Sequence, residues 1–113
     1  MKIKVPFKTW KVITEKEIDF IFRIGTLEDA CDILGCDLWE VEKQNPYDVN
    51  VAILFAGYKF ARNTGRKNKF LDYNLNHAVF WMEHMSKDSQ GKFLKAVQDL
   101  LGKMTGKKEE KKK

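Results

Sequence analysis

The segment at 46–62, PYDVNVAILFAGYKFAR, limits the possible folds of this chain more than any other. Asn45 stands before it as an N-cap, Pro46 occupies the first helical position and Asp48 falls in the first turn. The breaker Asn63-Thr64-Gly65 closes it. At 100° per residue, Val51, Leu54, Phe55 and Tyr58 form one apolar face. Val49, Ile53, Ala56 and Phe60 form a second, nearly opposite. A helix apolar on both sides must be covered on both sides, either inside one chain or between chains. Gly57 costs roughly 1 kcal/mol against alanine in a helix interior, which a close backbone approach there would justify.

The neighbouring segments carry helix starts of their own. Thr26, with Glu28 and Asp29 in the first turn, opens a helix that puts Leu27, Ala30, Cys31 and Leu34 on one face and stops at Gly35. Asp37 with Glu40 opens a second, short helix with Leu38 and Val41 inward. A fourth helix is expected from about Asn74 to Met85, with Leu75, Ala78, Val79 and Met82 as its core stripe. A fifth starts at Ser86 or Asp88 and runs to about Met104, placing Phe93, Leu94, Val97, Leu100, Leu101 and Met104 on one arc. Before these, Lys8, Trp10 and Val12 alternate with Thr9, Lys11 and Ile13, and Ile18, Phe20, Phe22 and Ile24 repeat the period of two after the polar break Thr14-Glu15-Lys16. This pattern favours a β-hairpin over 8–24, the alternative being a helix from Thr14 with Glu17 as its capping partner. The predicted fold is therefore mainly α: a compact bundle of about five helices with a small N-terminal hairpin, forming one domain over 1–104.

The last stretch, KKEEKKK at 107–113, has no apolar residue to bury, so 105–113 is expected to be a disordered Lys-rich tail. It contributes +3 of the net charge of +5, which makes basicity a weak argument for nucleic-acid binding. No apolar run is long enough for a membrane span, and the N-terminus lacks the apolar core of a secretory signal, so a cytoplasmic location is the default expectation. Cys31 and Cys36 belong to no CxxC pair and read as structural thiols. His77 and His84 lie two turns apart, roughly 10.5 Å along a helix axis, too far to share one metal without further ligands. With no phosphate-binding glycine loop and no nucleophile–base pair, the chain reads as a non-enzyme needing no metal or cofactor.

Two surface features remain. Residues 28–42 hold six acids and no base, while 59–69 hold five bases and no acid. These are either two solvated faces, or complementary ends for head-to-tail contact between copies or a polar rim for a partner. Phe80 and Trp81 lie off the core stripe of the fourth helix, either buried beneath the hairpin or displayed as an aromatic anchor. The residues set out for partner binding are accordingly Val49, Ile53, Phe60, Phe80 and Trp81. A nucleic-acid reading would instead use the basic patch Lys59, Arg62, Arg66, Lys67 and Lys69 as phosphate contacts.

The order F-x-I-G, short capped helix, L-G-x-x-L-W-E, break, and helix ending A-I-L-F-A-G-Y resembles the tail assembly chaperones of long-tailed bacteriophages and prophages. The matching positions are Ile24-Gly25, Leu34-Gly35, Leu38-Trp39-Glu40 and Ala56-Gly57, and the likeness spans roughly residues 8–104. The resemblance implies a protein that binds the tape-measure protein, keeps its helical apolar surface soluble and helps recruit tail-tube subunits. It also implies self-association, absence from the mature virion, and a longer frameshifted form, for which the lysine codons at 107–108 and 111–113 would supply a slippery site.

Overall fold

The computed structural model describes residues 1–63 and 73–105. The elements run β1 (Lys2–Thr9), β2 (Val12–Asp19), α1 (Ile24–Leu34), a 3-10 segment (Leu38–Lys43), α2 (Pro46–Asn63), α3 (Leu75–His84) and α4 (Lys87–Thr105). There are thus four α-helices among the described residues, not five. The expected second helix is the 3-10 segment, and its two inward residues explain why. Leu38 and Val41 are three apart, which is the 3-10 repeat, and no third apolar residue follows to reward an α-helical stripe.

The hairpin exists, but nearer the N-terminus than the alternation over 8–24 suggests. Its strands pair antiparallel from Lys2 opposite Asp19 to Thr9 opposite Val12, so the turn is Trp10-Lys11. Trp10 takes a left-handed φ of 58° there. Ile3, Val5 and Phe7 form the buried face, and this alternation sets the register. Thr14, Glu15 and Lys16, expected as a break, lie within β2, where every residue from 12 to 17 is exposed. On the outer face Lys2 meets Asp19 at 3.4 Å, and Lys4 stands opposite Glu17. Phe20 and Phe22 do not extend the strand; they stack on each other at 5.7 Å, and Ile24 begins α1.

Local signals fix the helix ends. The Asn45 side chain accepts from the Tyr47 and Asp48 N–H groups at 2.8 and 3.4 Å. Asn74 accepts from the His77 N–H at 3.2 Å, while His77 Nδ1 accepts from the Asn74 N–H at 3.1 Å. Ser86, rather than Asp88, caps α4, its Oγ accepting from the Ser89 N–H at 3.2 Å. Gly35 ends α1 at φ 73°, donating to the Cys31 carbonyl at 2.8 Å. Thr26 departs from its expected place as N-cap. It lies inside α1, where its hydroxyl donates to the Ile21 carbonyl at 2.5 Å and accepts from the Arg23 N–H at 3.3 Å.

The core is one cluster drawing on every described element. α2 runs through its middle, touching α1, α3, α4 and β2. Gly57 is where the chain comes closest to it. The Ile21 N–H donates to the Gly57 carbonyl at 3.1 Å, and a Cβ on Gly57 would come within 2.5 Å of the Phe22 ring. Further along, a Cβ on Gly25 would meet the Phe60 ring at 2.7 Å. Both faces of the central helix are therefore covered within one chain. On the other side, Trp81 is fully enclosed by Phe7, Phe20, Tyr58 and Tyr73, with ring centroids 5.5–6.0 Å away and steep, edge-on angles.

Candidate partner-binding surface

The enclosure of Trp81 turns α3 about its axis. Ala78 and Trp81 are its fully buried residues, so of the stripe expected to be core only Ala78 is wholly enclosed and the other three lie farther out. Val79 and Met82 are half-buried, and Leu75 is 39% exposed. A large aromatic ring removes more apolar area from water than Leu75 does, and four rings are placed to receive it.

The displaced stripe lines one wall of an apolar groove of about 280 Å³. α1 contributes Ile33 and Leu34, α2 contributes Tyr47, Asp48, Val51 and Ala52, and α3 contributes Leu75 and Val79. Ile33 is 39% exposed and Tyr47 43% exposed, so three large apolar side chains from three helices face solvent around one depression. The spacing is helical throughout: Tyr47 with Val51, and Leu75 with Val79, are i, i+4 pairs. Ile33 also lines an adjoining recess of about 260 Å³ with Asp29, Asp32, Ala56 and Lys59.

The electrostatics of this face are acidic. Burial pushes the Tyr47 phenol above its ordinary value, and the negative charges of Glu83 and Asp48 add to the effect. Asp29 and Asp32 of α1 line the adjoining recess. The buried Cys31 thiol of α1 is pushed up to about 11, by burial first and then by Cys36, Asp32 and Asp37. It is therefore a protonated, packed thiol rather than a nucleophile at neutral pH.

Most residues set out for partner binding lie elsewhere. Val49, Ile53 and Trp81 are buried within the chain and present no surface. Phe60 is half-buried against Gly25, with the Arg23 guanidinium 5.8 Å from its ring. Phe80 is half-buried on the far side of α3, its ring tilted against that of His84 with centroids 4.4 Å apart, and lines a separate depression with Pro6, Phe7 and His77. The reason is that α2 finds both covers inside its own fold, so its second face is not left for a partner. Ile33 and Tyr47 carry no signal in the sequence, each being a single apolar residue at the edge of a stripe.

The basic patch is divided. Lys59 points over the Phe55 ring at 5.6 Å and lines the same recess as Asp29 and Asp32. Arg62 is half-buried, and Arg66, Lys67 and Lys69 lie outside the described residues, as does the tail from 106. Among the described residues there is no group of three or more potential metal ligands. His77 is engaged in the cap of α3, and no described helix is long and apolar enough to cross a membrane. A second exposed apolar feature is the hairpin tip, where Trp10 is 87% exposed with the Lys11 ammonium 5.9 Å from its ring. Compared with family models, with curated proteins and with solved structures, the chain finds no match.

Proposed function

We propose that this chain is an assembly chaperone that holds an apolar helical segment of a longer protein in the groove between α1, α2 and α3. The observation that carries the reading is the exposure of Ile33, Tyr47 and Leu75 around one concave surface. A groove with i, i+4 residues on its walls suits the ridge of another helix, in the manner of helix-in-groove recognition. The likeness to phage tail assembly chaperones gives that segment a natural source, the tape-measure protein, with the tail-tube protein as a second partner. A host cytoplasmic location and release before the virion matures belong to the same reading.

The experiment is co-expression with the longest helix-rich protein encoded beside this chain. The native chain is expected to raise the soluble fraction of that neighbour and to co-purify with it. Leu75→Asp and Tyr47→Asp are expected to abolish both effects while leaving the chaperone folded. A neighbour that stays equally insoluble with native chain and variants sinks the proposal.

A further inference from the structure

We infer that the occupant of the groove is a basic amphipathic helix, one carrying lysine or arginine on both sides of a narrow apolar stripe. This rests on the helix-binding reading and adds the charge of the partner to it. The floor is apolar, formed by Val51 and Ala52 of α2 between Ile33 and Leu75. Acids stand in or beside it on each helix that builds it. Asp48 of α2 lines the groove itself, and Glu83 of α3 is near enough to act on the Tyr47 phenol. Asp29 and Asp32 of α1 border the recess that Ile33 shares. Lys59 of α2 is the one base among the described lining residues, and it lines that recess rather than the groove.

An acidic helix seated on Ile33 and Leu75 would bring like charges together at the rim, and a neutral one would leave the acids without partners. A basic one meets them. This local preference runs against the whole chain, whose net charge of +5 would draw acidic peptides by non-specific attraction. A second copy is the weaker occupant. Its exposed α4 surface offers Leu94 between Lys92 and Lys95, which is one apolar anchor where the groove has walls for several.

The test uses the full chain and two synthetic helical peptides with the same leucine stripe, one flanked by lysines and the other by glutamates. Fluorescence anisotropy at low salt is expected to show the lysine-flanked peptide binding about tenfold more tightly, the size of a few exposed charge pairs together. That margin is expected to shrink to about twofold near 0.5 M salt, where screening is strong. The double variant Asp48→Lys/Glu83→Lys, whose two sites are exposed, is expected to reverse the preference, with its circular dichroism unchanged. Equal binding of both peptides would leave the helix-binding groove standing and overturn the charge assignment. Binding of neither would remove the groove reading itself, and the inference with it. Concentration-dependent self-association lost in Leu94→Asn would overturn the inference in favour of a second copy.

Discussion

Gly57 and Tyr47 belong to the same helix, and their surroundings are opposite. At Gly57 the Phe22 ring leaves no room for even a methyl group, and the backbone carbonyl is taken by Ile21. At Tyr47, two to three turns earlier, the side chain stands 43% exposed above an open groove. α2 is equally apolar at both ends, so hydrophobicity alone does not separate core from surface on it. What separates them is the partner across the way. The end near Gly57 is met by aromatic rings from the segment before α1. The end near Tyr47 faces Leu75 and Val79, which α3 has turned outward to bury Trp81.

This contrast sets the order of expected effects. Trp81→Ala removes the ring that four aromatics enclose and should cost about 3–5 kcal/mol in chemical denaturation, enough to unfold a domain this size. Trp81→Phe should cost less, since it also removes an indole Nε1 that is buried with no hydrogen-bond partner among the described residues. Gly57→Val forces Phe22 aside and should cost about 1–3 kcal/mol, outweighing its gain in helix propensity. A thermal shift for Gly57→Val no larger than that of an exposed-site change would break the description of this end as sealed. Leu75→Asn, on the open side, should alter stability by no more than about 0.5 kcal/mol while weakening peptide capture severely. If Leu75→Asn proves as destabilising as Gly57→Val, the groove is core and the contrast disappears.

Features that depend on a few adjacent residues were legible from the sequence. Asn45-Pro46, Asn74, Ser86 and Gly35 start or stop helices where expected, because a cap is a short-range bond between neighbours. Gly57 was legible as a point of close approach. The hairpin was legible in kind but not in register, because Ile3, Val5 and Phe7 compete with the equally periodic run from Ile18 to Ile24. Only the tertiary fit of Phe20 and Phe22 against the helices decides between them. The groove was not legible at all. Its walls depend on the rotation of α3, and on a helical wheel Leu75, Ala78, Val79 and Met82 form as regular a stripe as Ala78, Trp81, Met82 and Met85. That rotation is set by rings on β1, α2 and the segment after β2, and no local pattern reports such a distant choice.

The central claim is that the α1–α2–α3 groove is the surface where a partner helix docks. Its most direct test is a methyl NMR titration of the full chain with the lysine-flanked peptide. The methyl signals of Ile33, Val51, Leu75 and Val79 are expected to shift together and saturate at one equivalent, while those of Ile3, Val5 and Ile53 in the core stay in place. Shifts confined to Val12 and Ile13 at the hairpin, with the groove methyls unmoved, would contradict it.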